Sequence, residues 1–493
     1  MRISNVIYFL LLIAFAIFYF LGLEPSSFNP VLFDICGVCI IASVISFVIA
    51  SQKGGGKGFW LKPSYLFVLG FLAVNFQYLL DFRLGFKTLA SRRFLYPDIL
   101  NHCLVLGVIG LLAFVIGYSY RPLPARVENS NGYASSQGAI TRKTVPVALQ
   151  ILHILVFAWF LFSSDLNSIV SGADYDQSIV NGPNASTRAE SFLYVTNSLI
   201  ILFASMKSIG KEKFSSFISS IPIVSLGIII VYLFIRLVSG DRGPFIYTSL
   251  LIVFGYLFAS RRKIKLGIVI AVVLGGGLLM SLIGIARSFD LTIPFVERLT
   301  GAADQFSTEG RFAYDESSVL PLTDEMGFSF QVNQVDVEAI EVKKEPFHYF
   351  AYPIYGLLSG IPFMPGLIQG PLGVPPDQFS SGGFANYQFF GGYDRTYGIG
   401  TTILGDFYLS FGVFGVILGL FITGLFLRFI DSTLFINDRR NISYIVLLLV
   451  LLFASKSIYM PRATLFVEVP RFVWGVIFLY VFSLTKGNSK AFK

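Results

Sequence analysis

RRKIKLGIVIAVVLGGGLLMSLIGIARSF, residues Arg261–Phe289, holds the pattern from which the rest of the chain can be read. Four basic residues come first, then twenty-one residues without a charge (266–286), then a single arginine, Arg287. At about 1.5 Å per helical residue the uncharged run is about 32 Å long, enough to cross a hydrocarbon core of about 30 Å. The basic cluster before the run obeys the rule that Lys and Arg gather on the cytoplasmic side. Arg287 breaks that rule, and arginines of its kind are where chemistry is sought.

The pattern repeats outward from this stretch. Residues are 54% hydrophobic, 16% aromatic and only 13% charged, against about 25% charged in soluble domains. Apolar runs lie near 5–23, 31–50, 64–80, 99–119, 145–162, 192–206, 218–238, 244–260, 266–285, 402–427, 442–457 and 470–484. Lipid offers no water to satisfy backbone polar groups, and no alternating ten-residue strands occur, so the expected fold is an all-α polytopic membrane protein of about twelve transmembrane helices. The predicted organisation is nine spans in 1–286, a large external loop domain at 287–401, and three spans in 402–493. The loop carries fourteen acids against six basic residues. Within it, HYFAYPIYGLLSGIPFMPGLI (His348–Ile368) is cut by Pro353, Pro362 and Pro365, so it is expected to lie at the interface or dip back into it.

Lys and Arg of alternate loops (Arg2; Lys53–Lys62; Arg121–Lys143; Lys207–Lys213; Arg261–Lys265; Arg428–Arg440; Lys486–Lys493) make 21 of the 37. These loops are predicted to be cytoplasmic, as are both termini, and the net charge of +8 reflects orientation in the membrane and not a nucleic-acid surface. Arg2 precedes a long apolar run without a small-residue cleavage site, so the first span reads as retained.

Several chemistries find no motif. There is no phosphate-binding loop, the three histidines (His102, His153, His348) lack metal-ligand spacing, and Cys36, Cys39 and Cys103 read as packing residues. No metal or cofactor is expected. Among basic residues outside the cytoplasmic set, Arg298, Arg311, Lys343 and Lys344 read as solvated loop charges. Arg83, Lys87, Arg92 and Arg93 form a cluster suited either to lipid headgroups or to a phosphate. Arg242, Arg287, Arg462 and Arg471 each stand at the outer end of an apolar helix, where an arginine either snorkels to headgroups or serves a site. Four planar guanidinium forks on one membrane face suit bidentate contact with a polyphosphate.

The ordered landmarks SGDRGPF (Ser239–Phe245), IPFMPG (Ile361–Gly366), GIGTTILGDFYLSFGVFGVILG (Gly398–Gly419), SIYMPRATLF (Ser457–Phe466) and PRFVWGVIF (Pro470–Phe478) resemble those of Wzy-type oligosaccharide repeat-unit polymerases, the O-antigen and enterobacterial common antigen polymerases. The resemblance implies a membrane glycosyltransferase architecture of the GT-C type in a bacterial inner membrane. It implies that a growing glycan on undecaprenyl pyrophosphate is transferred to a hydroxyl of an incoming lipid-linked repeat unit at the periplasmic face. It also implies membrane-lipid contacts, and a flippase and a chain-length regulator as partners. Arg242, Arg287, Arg462 and Arg471 match family arginines and are assigned the pyrophosphate, whose developing charge guanidinium groups stabilise. His348, Asp394, Asp406 and Glu468 are the candidates for the base; Asp406 also suits a helix N-terminal cap. Phe384–Tyr397, with Tyr387, Tyr393, Asp394 and Arg395, either lines a saccharide cleft or packs the loop domain. A lipid-linked oligosaccharide flippase and an O-antigen ligase-like transferase are the competing readings.

Overall fold

The computed structural model describes residues 3–52, 59–87, 94–120, 145–164, 185–239, 242–260, 262–286, 289, 293, 295–308, 323–361, 363–392, 398–435 and 442–484. Every regular element among them is helical. Apart from the short helices and turns at Pro97–Ile99, Phe214–Ile218, Asp324–Phe328, Pro376–Phe379 and Met460–Arg462, they are in chain order α1 (Ile3–Gly22), α2 (Pro30–Gln52), α3 (Pro63–Arg83), α4 (Leu100–Ser119), α5 (Val147–Ser163), α6 (Ala185–Lys207), α7 (Ile223–Val238), α8 (Arg242–Ser260), α9 (Leu266–Ala286), α10 (Phe295–Thr308), α11 (Phe330–Glu341), α12 (Ala351–Leu358), α13 (Met364–Gln369), α14 (Ser381–Phe390), α15 (Ile403–Leu434), α16 (Tyr444–Lys456) and α17 (Val469–Leu484). Among the described residues seven helices are long and apolar enough to cross a membrane: α2, α3, α4 with its leading turn, α6, α8, α9 and α15. Five shorter apolar helices, in α1, α5, α7, α16 and α17, occupy the remaining predicted spans.

The helix α4 is the axis of the bundle. Nearly all of its residues are buried, and it packs against α1, α2, α3 and, most extensively, α15. Its contact with α15 is close because small residues face it: a side chain on Gly117 would collide with the Phe421 carbonyl, the close backbone approach that stabilises helix pairs where lipid removes the hydrophobic drive. Leu and Ile side chains on α1, α2, α5, α7 and α9 stay exposed, as expected of helices with one face to hydrocarbon.

The predicted tenth span, 402–427, is two pieces. At Phe411 and Gly412 the backbone leaves the helix, and Gly412 has φ +59°, a conformation that glycine tolerates and other residues resist. The chain then doubles back. A Cβ on Gly415 would stand on the Phe407 carbonyl oxygen, whereas eight residues of straight helix would separate them by about 12 Å. Ile403–Ser410 is thus a half-helix lying against the start of the crossing segment, and both contact α4, since Gly110 faces Leu404 and Val416 together. The Leu409 carbonyl, freed by the break, accepts a hydrogen bond from the His348 backbone N–H at 2.8 Å. Non-helical backbone at membrane depth is tolerated where protein buries it or where it lines a cavity.

The segment His348–Ile368 forms α12 and α13, eight and six residues long, each too short to span. The helix α11 is unusual in being polar and buried: Gln331, Asn333, Gln334 and Asp336 are all inside, packed against α3, α4, α14 and α15.

One end of this core is fixed by Asp431, near the end of α15. Its carboxylate accepts hydrogen bonds from the Ser64 N–H (3.3 Å) and hydroxyl (2.5 Å) at the start of α3 and from the Tyr118 hydroxyl (2.7 Å) at the end of α4. The end of α3, the start of α4 and the break of α15 at Phe411–Gly412 therefore share the opposite face, while Leu404, against Gly110 at the middle of α4, lies deeper in the bundle. The helix α16 begins near the Asp431 end, a short connection after α15, and runs toward that same opposite face.

Candidate functional site

Two centres of buried polarity lie between the middle of the bundle and that face. The first is ionic. Just before α17, Glu468 is fully buried, and its Oε1 accepts from Arg471 Nη1 at 2.5 Å while Lys456 Nζ lies 3.4 Å away. Its Oε2 is buried without a partner. Arg471 donates through Nε to Ser191 Oγ of α6 at 3.3 Å and covers the Tyr194 ring. Lys456, the last residue of α16, places Nζ 3.0 Å from the centre of the Tyr247 ring. Next to it, Arg236 of α7 pairs with Glu190 of α6 at 2.7 Å, and the Tyr232 hydroxyl donates to the same carboxylate at 2.7 Å. Three cations thus face two carboxylates, and Arg242 and Arg462 flank them in chain. Arg242 opens α8 five residues before Tyr247, and Arg462 closes the Met460–Arg462 turn that follows Lys456; the Tyr459 and Tyr247 rings pack edge to face. Buried ion pairs cost desolvation that pairing only offsets, so a local excess of positive charge at helix ends is a place for an anion to add its own.

The second centre is acidic. Asp406 stands one turn inside the half-helix and Asp336 on α11; they are 1% and 0% exposed. Among the described residues neither oxygen of Asp336 has a hydrogen-bond partner, and Asp406 has only the Ser381 hydroxyl beside it. Asp336 Oδ2 occupies the space that a Cβ on Gly405 would need, so glycine there admits the second acid beside the first. Burial, and then the charge of Asp406, hold the Asp336 carboxyl well above the usual carboxylate range. The N-cap of α15 is Thr402, whose hydroxyl accepts from Gly405 N at 2.9 Å, and not Asp406. Thr402 joins a chain of polar groups through Asn333 to Asn75 of α3. The two centres meet through the Met460–Arg462 turn, which packs on α3 and α15, and through α12, which packs on α15 and α17.

Of the residues the sequence singled out, Arg471 and Glu468 are inside the ionic centre, Arg242 and Arg462 are on the elements that build it, and Asp406 is in the acidic one. Arg287, Tyr393, Asp394 and Arg395 lie outside the described residues. The His348 ring packs against Tyr352 (4.6 Å) and Phe384 (4.9 Å). Phe384 is buried in that packing, Asn386 accepts from the Ile399 N–H at 2.8 Å, and Tyr387 is half-buried on α14.

Some loop charges behave differently from expectation. Arg298 is 4% exposed on α10 and not solvated. Arg83 forms a two-pronged pair with Asp34 of α2 (3.1 and 2.9 Å), and Lys87 is buried with Nζ over the Tyr78 ring; Arg92 and Arg93 lie outside the described residues. Sequence reasoning missed Lys456, Arg236, Glu190 and Asp336. The first two had a signal, since each is a charge within or at the end of an apolar run, where a charge is costly unless it is used. Asp336, in VNQVDVEAI, had none.

The fold defines a polytopic helical membrane protein with two buried charged centres. The chain belongs to the O-antigen polysaccharide polymerase Wzy family, whose sequence model matches residues 3–488, nearly the whole chain. That family membership makes it a membrane polymerase of polysaccharide biosynthesis whose substrates are lipid-linked oligosaccharides. No curated protein and no solved structure gives a significant match.

Proposed function

We propose that this protein crosses the bacterial inner membrane twelve times with both termini in the cytoplasm. At the periplasmic face it moves a growing glycan from undecaprenyl pyrophosphate onto the acceptor hydroxyl of an incoming lipid-linked repeat unit. The observation that carries this reading is the ionic centre. Arg471, Lys456 and Arg236 come from three helices that end at one face, Arg242 and Arg462 flank them, and Glu468 lies between two of the cations. A pyrophosphate leaving group is a stronger multivalent anion than a carboxylate and suits the same cations. As the sugar–phosphate bond breaks, charge grows on the pyrophosphate oxygens, and fixed guanidinium and ammonium groups in a site shielded from water stabilise it. Arg287, at the end of α9 in sequence, is proposed to join them, with the loop domain 287–401 forming the acceptor side and Tyr387, Tyr393, Asp394 and Arg395 meeting the glycan. Asp406 and His348 are the candidates to activate the acceptor.

The test is reconstitution of the purified chain in liposomes with lipid-linked repeat units extracted from cells that lack it. A ladder of products differing by one repeat unit is expected. Movement of the units across the bilayer with no new glycosidic bond would replace this reading with a flippase, and transfer of finished polymer to a lipid anchor would replace it with a ligase.

A further inference from the structure

We infer that Asp336 and Asp406 share one proton, and that Asp406, oriented by the protonated Asp336, is the base that receives the proton of the acceptor hydroxyl. The inference rests on the polymerase reading and adds to it Asp336, a positioning residue on an element that carries no other assignment.

The argument is geometric. Two buried acids are neighbours in the protein interior, with Asp336 packed directly on Gly405, which precedes Asp406. Like charges this close and this dry cannot both be ionised. Neutralisation by a cation is the other solution; among the described residues neither acid forms an ion pair, and Lys343 and Lys344, which follow α11, are exposed. The groups presented by the packed elements are uncharged donors and acceptors or further acids. They are Asn75 of α3, Cys103 of α4, Ser381 of α14, and Glu338 and Glu341 of α11 itself. Ser381 stands beside Asp406 as its one neutral donor and shares a hydrogen bond with Thr401 Oγ1 at 2.8 Å. A shared proton satisfies both acids at once: Asp336 donates it and Asp406 keeps a negative charge.

A structural role for such a pair is hard to defend, because buried polar groups that only hold a fold are hydrogen-bonded. The surroundings also allow access. Ser381, at the start of α14, stands beside Asp406, and the next residue, Gly382, rests against the Gly400 carbonyl. Withdrawal of that turn when an acceptor arrives brings Asp406 to the hydroxyl. The acceptor oxygen then forms its bond to the anomeric carbon of the donor sugar while the bond from that carbon to the pyrophosphate oxygen breaks. The bonding pair leaves with the lipid pyrophosphate, the hydroxyl proton passes to Asp406, and the doubly protonated pair returns one proton to water before the next cycle.

The experiment uses the full chain in nanodiscs and has two arms. Infrared difference spectra of wild type minus Asp336→Asn, at neutral pH and without substrate, are expected to contain the carbonyl band of a protonated carboxylic acid, shifted by D2O. Absence of that band overturns the shared proton. In the second arm, polymer formation is followed with extracted lipid-linked repeat units over a range of acceptor concentration. Asp406→Asn is expected to lower turnover about 100-fold or more with little change in the acceptor concentration at half-maximal rate. Asp336→Ala should act on turnover in the same way, and Asp336→Asn, whose amide still donates a hydrogen bond, should restore most of it. Wild-type turnover in Asp406→Asn overturns the base. If wild type itself makes no ladder, the polymerase reading fails while the infrared arm still decides the shared proton.

Discussion

The helix α15 carries two buried aspartates, and they are treated in opposite ways. Asp431, near its end, is ringed by donors from the starts and ends of α3 and α4. Asp406, near its beginning, has only the Ser381 hydroxyl beside it, and the fold packs a second acid on the preceding Gly405. Burial is the same at the two sites, so the difference lies in what each site is for. An acceptor with all its donors present rigidifies a helix junction, whereas one without them costs the fold stability that only a function would preserve. The ionic centre falls between these extremes: Glu468 has two cations on one oxygen and nothing on the other.

The largest effect should come from that intermediate site. Arg471→Ala leaves Glu468 buried and facing only Lys456 at 3.4 Å. Removing one member of a buried pair costs about 3 kcal/mol or more, so the melting temperature in detergent should fall sharply along with polymer formation. Arg471→Lys should rescue poorly, because an ammonium cannot reach Glu468 and Ser191 with one planar fork. Wild-type melting in Arg471→Ala would show that Glu468 is not held in place by this pair.

Next comes the comparison within α15 itself. Asp431→Asn puts an amide donor among three donors and should cost about 2 kcal/mol, with a matching drop in thermal midpoint and only the polymer loss that instability brings. Asp406→Asn breaks no hydrogen bond and should leave the midpoint unchanged or raised while polymer formation collapses. If the two variants melt alike, the contrast between satisfied and orphaned acids has no energetic content.

These sites also show what a sequence can and cannot disclose. The spans were legible because twenty apolar residues have few destinations other than lipid, and each predicted run coincides with an apolar helix. The break in α15 was not, since SFGVFGVILG continues the apolar run, and only the positive φ at Gly412 and the packing of Phe407 on Gly415 reveal it. Arg471 was legible as a charge at a helix end, but its partner Ser191 and the Lys456 that shares Glu468 with it come from distant segments that no local pattern joins. Asp336 was illegible for the same reason: one acid in a polar loop looks solvated until a tertiary contact buries it.

A smaller effect should follow from Tyr118→Phe, which removes a single donor from Asp431 and leaves both Ser64 contacts. A hydrogen bond to a charged acceptor is worth about 1.5 kcal/mol, so the loss should be below that of Asp431→Asn and should vanish when the two changes are combined. Additive losses in the double variant would mean that Tyr118 acts through its ring packing on Phe47 (4.9 Å) and not through its hydroxyl.

The smallest effect is expected at an ion pair with good geometry that stands in the open. Arg83 holds Asp34 with two nitrogens, at 3.1 and 2.9 Å, so by distance it equals the pairs of the ionic centre. Its side chains are 40% and 55% exposed. Water and ions screen such a pair, and ordering two side chains offsets what attraction remains. Arg83→Ala should therefore melt with wild type, and added salt should change neither protein's midpoint relative to the other. The same variant decides the open question about the basic cluster after α3. If Arg83 belongs to a phosphate or headgroup site, its loss will reduce polymer formation in reconstituted membranes while stability stays the same. If it serves only Asp34, the ladder of products will be unchanged, and distance alone will have been shown to say nothing about what a charge contributes.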